Sequence, residues 1–282
     1  MTAKLLDGRH VADLIEHQLK EQIHILASQG KRQPGLAVVL LGDDPASQVY
    51  VHNKAKACGR VGIESRVYRL DQSISQAELM ALVDELNQDA SIDGILVQLP
   101  LPQHINTDAI TDAISPSKDV DGFHPLNLGL LAQRRPALRP CTPYGIMCLL
   151  KHYQLVRKGA HGVIVGASNI VGRPLTLEFL LAGITVTTCH QFTQDLAKHV
   201  KQADILVVAV GKREIVSADW IKPGAIVIDV GMHRLPDGHL AGDLDFMAVS
   251  HVAGWLTPVP GGVGPMTIAS LLSNTVKAYL ER

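Results

Sequence analysis

Apolar positions along the chain follow two alternating rhythms. Val11, Leu14, Ile15, Leu19, Ile23 and Leu26 recur at roughly helical spacing, and Gly30 is placed to stop the helix they predict. Residues 36–41 are instead an unbroken apolar run, as a short strand buried on both faces requires. Asp44-Pro45 opens a second helix to about Arg60, and residues 65–70 read as the next strand. Ser75 and Glu78 form an S-x-x-E capping box ahead of a helix carrying Leu79, Leu82, Val83 and Leu86. A third strand, Gly94-Ile95-Leu96-Val97, stops at Gln98-Leu99-Pro100-Leu101-Pro102, because proline cannot continue a ladder.

Residues 115–140 break the rhythm. They are rich in Pro, Gly, Asp and Arg, read as irregular, and make the best domain boundary. Their basic cluster, Arg134, Arg135 and Arg139, reads either as an anion site or as a solvated linker face. From Thr142-Pro143, an N-cap followed by proline at the first helical position, a helix runs to about Tyr153. Strands then follow at 161–165, 185–189, 205–210 and 225–230, and a helix over 265–280 closes the chain. Strands alternating with helices mean α/β architecture with parallel sheets, here in two domains. Ligands of such sheets sit at the carboxyl ends of strands, which is where Gln98 falls.

Composition narrows the function. The 282 residues hold 26 basic and 27 acidic side chains, a formal net charge of −1. That balance argues against nucleic acid, whose binders need surplus Lys and Arg to displace counterions. Four Phe, two Trp and five Tyr also supply little stacking surface for bases. No apolar run approaches the roughly 18 residues of a membrane span, and the first ten residues lack a signal-peptide core. Cys58, Cys141, Cys148 and Cys189 are scattered, which predicts reduced and mostly buried thiols. The 13 histidines form no H-E-x-x-H and no zinc spacing, so no metal is expected. The expectation is a soluble, cytoplasmic protein.

Two segments carry chemistry. In the first, an apolar strand, Val163-Ile164-Val165, runs into Gly166-Ala167-Ser168-Asn169-Ile170-Val171-Gly172-Arg173-Pro174 at the start of a helix. In that setting backbone N–H groups and the helix dipole hold a pyrophosphate, although a tight turn without ligand has the same pattern. Ser168 stands where G-x-G-x-x-G has its middle glycine. The following strand ends Thr187-Thr188-Cys189-His190-Gln191, without the carboxylate that an NAD site places on the ribose 2′-OH. Arg173, with His190, is available to a 2′-phosphate, which favours NADP over NAD; a solvated Arg173 is the plain alternative.

In the second segment, Tyr50-Val51-His52-Asn53-Lys54, the phenol and the amine are four apart on one helix face. If that face lines a cleft, burial disfavours the charged amine and lets it exchange protons near neutrality; most helical lysines are simply solvated. Asp121, in Lys118-Asp119-Val120-Asp121-Gly122, fits a functional carboxylate and an ordinary Asp-Gly turn equally well.

Five segments taken together resemble the bifunctional methylenetetrahydrofolate dehydrogenase/cyclohydrolase family. They are Tyr50-Val51-x-Asn53-Lys54, the stretch from Gly94 to Pro102, Lys118-Asp119-Val120-Asp121-Gly122-Phe123-His124, the stretch from Gly166 to Pro174, and Thr257-Pro258-Val259-Pro260-Gly261-Gly262-Val263-Gly264-Pro265. They occur in the family's order and span essentially the whole chain.

The resemblance implies an N-terminal α/β catalytic domain over 1–121 plus the returning helix 265–282. A Rossmann-type NADP domain over 140–264 follows a connecting segment, 122–139, with the folate cleft between the domains and subunits paired as homodimers. It implies hydride transfer from 5,10-methylenetetrahydrofolate to NADP, then hydrolysis of the 5,10-methenyl cation to 10-formyltetrahydrofolate. Lys54 would be the central catalytic residue, Gln98 would hydrogen-bond near it, and Tyr50 would position the folate ring. Asp121 would receive the pterin's N–H donors, and Pro260, Gly261 and Gly262 would bring backbone close to the folate. Gly166, Ala167, Ser168, Gly172, Arg173 and His190 would hold NADP, and Met232 would meet its nicotinamide side through backbone. Where some bacterial members have arginine after the histidine, this chain has Gln191, which removes one 2′-phosphate contact. The alternatives are an NADP-dependent dehydrogenase without cyclohydrolase activity, a dehydrogenase for another small substrate, and a non-catalytic folate or nucleotide binder.

Overall fold

The computed structural model describes residues 2–281, apart from the side chain of Ala46. In chain order it contains β1 (Lys4–Leu5), α1 (Gly8–Ser28), β2 (Gly35–Leu41), α2 (Pro45–Val61), β3 (Glu64–Leu70), α3 (Gln76–Gln88), β4 (Gly94–Val97), α4 (Thr107–Ala113), α5 (Pro125–Ala132) and α6 (Cys141–His152). There follow β5 (His161–Val165), α7 (Gly172–Leu181), β6 (Thr185–Cys189), α8 (Leu196–Val200), β7 (Ile205–Val208), β8 (Ile226–Asp229), β9 (His233–Arg234), β10 (Leu240–Ala241), α9 (Phe246–Ser250), β11 (Trp255–Leu256) and α10 (Val263–Leu280). The chain divides into two units: Asp13–Cys141 with the residues from Ile268 on, and Thr142–Thr267 with the residues up to Ala12.

The first unit is built on a parallel three-stranded sheet in the order β3-β2-β4. Every residue of β2 is buried, and its alternation divides the core. Leu36, Val38 and Leu40 pack with Val51, Cys58 and Val61 of α2 and with Leu271, Leu272 and Val276 of α10. Ala37, Val39 and Leu41 face the other way, onto Leu79, Val83 and Leu86 of α3 and Ile110 of α4. The capping box predicted at Ser75 forms in both directions, which contributes on the order of 1 kcal/mol to α3.

The second unit is a parallel six-stranded sheet in the order β1-β11-β8-β7-β5-β6, with the β9–β10 hairpin beside it. From β5 the chain moves outward to β6 and then returns to the other side of β5 for β7. The carboxyl ends of β5 and β7 therefore flank a topological switch, the place where open α/β sheets bind ligands.

Three features depart from the sequence pattern. Residues 115–140 are not irregular throughout: α5 lies within them, with Pro125 in its first turn and His124 Nδ1 accepting from the Leu126 amide at 3.0 Å. Helix α4 was not expected. The first dozen residues join the six-stranded unit rather than the N-terminal one, because Lys4 and Leu5 pair in parallel with Trp255 and Leu256. No helix among the described residues is long and apolar enough to cross a membrane.

Candidate functional site

Helix α2 starts at a strong cap, with Asp44 Oδ2 accepting from the Ser47 amide at 2.7 Å and Pro45 in the first turn. Its inward stripe is Val51, Lys54, Ala57, Cys58 and Val61, so a lysine occupies a position that helical spacing assigns to the core. Lys54 is only 7% exposed, and its Nζ donates to Gln98 Oε1 at 3.0 Å. Gln98 follows β4; its backbone N–H donates to Val39 O at 2.9 Å and its Nε2 to Leu99 O at 2.8 Å. Tyr50 lies one turn before Lys54, half-exposed, with burial raising the pKa of its phenol. The Cys58 thiol is pushed up to about 12, chiefly by burial.

Asp121 sits in a turn that other residues fix. The Asp119 carboxylate accepts from the amides of Gly122, Phe123 and His124 at 3.1, 3.2 and 2.8 Å, and from Asn127 Nδ2 at 2.9 Å. Gly122 has φ +78°, and a Cβ there would stand 2.4 Å from Pro140 N, so only glycine closes the turn. Burial holds the Asp121 carboxyl above the usual carboxylate range. The positive charge of Lys54 opposes this, the negative charge of Asp119 adds to it, and a hydrogen bond with Cys141 opposes it. A small cavity of about 20 Å³ touches Val97, Leu99, Asp119, Asp121 and Phe123. Amine, amide, phenol and carboxyl are thus gathered in one unit, at the strand end where the pattern placed Gln98. The basic cluster stays on the surface in part: Arg134 and Arg135 are exposed, and Arg135 bonds Gln133.

In the six-stranded unit, β5 runs into Gly166 at φ +121°, where a Cβ would stand 2.2 Å from Ala209 O. A Cβ on Gly172 would stand 2.0 Å from Gly166 O, so the turn into α7 needs both glycines. Ser168, in place of a middle glycine, organises the turn itself. Its hydroxyl accepts from the Val171 amide at 3.2 Å and its carbonyl from the Arg173 amide at 3.1 Å. Among the described residues none accepts from the amides of Ser168, Asn169 and Ile170, which lie exposed before α7. Free N–H groups at a helix N-terminus fit the pyrophosphate of a dinucleotide. Arg173 is exposed, its Nε donating to Ala167 O at 3.1 Å. Beyond β6, His190 is exposed and accepts from the Phe192 amide at 3.2 Å. Met232 is exposed after β8, and Pro260, Gly261 and Gly262 also belong to this unit, with Arg9 N bonded to Gly261 O. No group of three or more His, Cys, Asp or Glu among the described residues is placed to hold a metal ion.

Comparison with known proteins covers both parts of the chain. The tetrahydrofolate dehydrogenase/cyclohydrolase catalytic domain matches residues 6–121, and the NAD(P)-binding domain of the same family matches residues 140–282. The chain belongs to the tetrahydrofolate dehydrogenase/cyclohydrolase family. It is 58% identical to the bifunctional protein FolD of Legionella pneumophila (strain Corby) over 276 residues, 98% of this chain and 97% of that protein. The crystal structure of the bifunctional enzyme FolD from Campylobacter jejuni, a methylenetetrahydrofolate dehydrogenase/cyclohydrolase, superposes with a TM-score of 0.97. It is 52% identical, with 99% of each chain covered. The enzyme of the same name from Trypanosoma brucei, solved with NADP cofactor and an inhibitor, gives a TM-score of 0.95 at 37% identity, covering 100% of this chain and 98% of that one. The family's catalytic domain carries Lys54, Gln98 and Asp121, and its NAD(P)-binding domain carries the Gly166 turn.

The sequence pattern gave no sign of Asp119's part in shaping the Asp121 turn, beyond its place in the Lys118 to His124 segment. Nor did it single out Asp229 and Asp243, whose partners lie in other loops.

Proposed function

We propose that this protein oxidises 5,10-methylenetetrahydrofolate with NADP and then hydrolyses the 5,10-methenyl product to 10-formyltetrahydrofolate. The observation that carries the reading is Lys54: a lysine on the core stripe of α2, with its Nζ held 3.0 Å from Gln98 Oε1 at a strand end. Burying an amine there contributes nothing to packing that a leucine would not improve, so its chemistry is what explains it. Family membership, and relatives named for both activities, support the same conclusion.

The hydride step needs no acid or base, only two rings held face to face. NADP supplies the hydride acceptor. The Gly166, Ala167, Ser168 and Gly172 turn would hold its pyrophosphate, Arg173 and His190 would face its 2′-phosphate, and the Met232 backbone would meet the nicotinamide side. Asp121 would receive the pterin's amino and ring N–H donors, since a carboxylate grips such a pair with two charge-assisted bonds. Tyr50 would lie against the folate ring, and Pro260, Gly261 and Gly262 would let backbone approach it. Departure of hydride leaves a cation, and water attacks its methenyl carbon. Lys54 Nζ, acting as the neutral amine, takes the proton released from that water while Gln98 Oε1 fixes its direction. The bond from that carbon to N5 then breaks, N5 takes up a proton, and 10-formyltetrahydrofolate is left. The homodimer, which rests on the family resemblance, and the cytoplasmic location, which rests on the sequence's composition, belong to the same reading.

A spectrophotometric time course tests it, with 5,10-methylenetetrahydrofolate and NADP or NAD in parallel, following reduced cofactor and methenyl intermediate together. Reduced NADP with little methenyl accumulation is the expected result. Stoichiometric methenyl would mean a dehydrogenase alone, and no reduced cofactor would overturn the reading.

A further inference from the structure

Two buried carboxylates of the six-stranded unit take no part in these steps. Asp229 ends β8 at 4% exposure, and Asp243 lies two residues past β10 with none. Asp229 Oδ1 accepts from the amides of Gly231 and Asp243 at 3.0 and 2.9 Å, and Oδ2 from that of Leu244 at 2.9 Å. Asp243 Oδ2 accepts from the amides of Val210 and Gly211 at 2.9 and 3.0 Å, while Oδ1 lies 2.7 Å from His233 Nε2. A buried carboxylate persists only when fully hydrogen-bonded, and each of these gathers three donors. The backbone is shaped to admit them. A Cβ on Gly231 would stand 2.2 Å from Asp243 Oδ1, and one on Gly242 would stand 2.0 Å from Asp229 Oδ2.

The position of those donors matters more than their number. Val210 and Gly211 follow β7, and His233 opens β9 just after β8, so Asp243 ties together the loops at the carboxyl ends of two adjacent parallel strands. The first of these loops touches the phosphate turn: Ala209 O is the atom that a Cβ on Gly166 would strike. Of the two residues assigned to the 2′-phosphate, Arg173 opens α7 after β5 and His190 follows β6, on the side of β5 away from β7. A dinucleotide crossing the switch point therefore carries its other end over β7 and β8. The strands themselves are held by their ladders and by a core of Val163, Leu206, Val208 and Val227, none of which depends on Asp243.

We propose that Asp243 is a positioning residue for hydride transfer, holding the Val210, Gly211 and His233 loops in the shape that bounds the nicotinamide end of the cofactor site. Asp229 anchors the backbone of Asp243 itself. The inference rests on NADP binding in this unit.

The test is Asp243→Asn in the full chain, which keeps the shape but turns one acceptor into a donor facing N–H groups. On one preparation, NADP affinity is measured by titration calorimetry, dehydrogenase turnover with methylenetetrahydrofolate, and hydrolysis with methenyltetrahydrofolate supplied directly. NADP Kd and KM rise by about tenfold or more while hydrolysis stays within about twofold of the parent. Unchanged NADP affinity, or parallel loss of both activities, overturns the proposal. If Asp243→Asn does not fold, His233→Ala is read instead: a rise of about threefold in NADP KM with hydrolysis retained supports the role, and an unchanged KM overturns it. A parent protein that hydrolyses methenyltetrahydrofolate but never binds NADP removes the cofactor assignment and the inference with it. A parent active in both assays isolates the failure to Asp243.

Discussion

Lys54 meets Gln98 through the amide oxygen and not the amide nitrogen, because Nε2 is already committed to the Leu99 carbonyl at 2.8 Å. Turning the amide over would set Oε1 against that carbonyl and Nε2 against Nζ, losing both hydrogen bonds at once. The backbone N–H of Gln98 is held by Val39 O, so the oxygen facing Lys54 is fixed by the last turn of chain after β4. An acceptor fixed in this way aims the amine, whereas a carboxylate there would favour the charged ammonium, which cannot take a proton.

Lys54→Gln removes the amine while keeping length and polarity. Hydrolysis of methenyltetrahydrofolate falls by at least about a hundredfold, the usual weight of a positioned proton acceptor. The thermal transition stays close to the parent's, because the apolar stripe of α2 is intact. The decay of methenyl absorbance measures it, and near-normal hydrolysis would remove Lys54 from the role.

Gln191→Arg adds a charge in the exposed loop after β6, beside His190. The ratio of KM for NAD to KM for NADP rises by about threefold to tenfold at low ionic strength. The gain shrinks at about 1 M salt, because exposed charges are screened. A ratio that does not move means residue 191 faces away from the 2′-phosphate.

The sheets were legible because parallel strands buried on both faces leave unbroken apolar runs, as β2 and β7 do. The Gly166 turn was legible because steric crowding permits only glycine there. Helix α5 was hidden by its composition: eight residues with Pro, Asn and Gly, capped by a histidine where Ser, Thr, Asp or Asn usually signals a start. Strands β1 and β11 have two residues each, too few for any periodicity, and their pairing spans almost the whole chain. For the site, spacing placed Tyr50 and Lys54 on one face but could not choose between solvent and cleft. Asp119 and Asp243 were illegible for a related reason, since an aspartate's worth depends on which amides fold around it.

Asp119→Ala deprives four N–H donors of their acceptor and frees the Asp121 turn. The unit loses on the order of 3 kcal/mol in urea unfolding. Asp119→Asn, which keeps one carbonyl acceptor, loses less. Folate affinity of the alanine variant drops while NADP affinity holds, because the phosphate turn is in the other unit. An alanine variant as stable as the parent would show that the turn does not depend on these bonds.

Asp121→Asn separates stability from binding. Burial raises the Asp121 carboxyl in the folded, ligand-free protein above its value in the unfolded chain. Below both values the group is protonated in either state, and folding buries no charge there. As pH rises, the unfolded chain gives up its proton first, and the folded protein must then ionise a buried acid. The stability contributed by the protonated carboxyl is present at low pH and lost as pH rises through the folded-state value. Asparagine cannot ionise, so the variant gains thermal stability over the parent at about pH 7 and much less at about pH 4. The same change deletes the charged acceptor for the pterin, and KM for methylenetetrahydrofolate rises by about tenfold or more. Thermal unfolding of both ligand-free proteins at the two pH values, with folate KM at the higher one, checks both halves. A variant equally destabilised at both would show that Asp121 serves the turn and not the ligand.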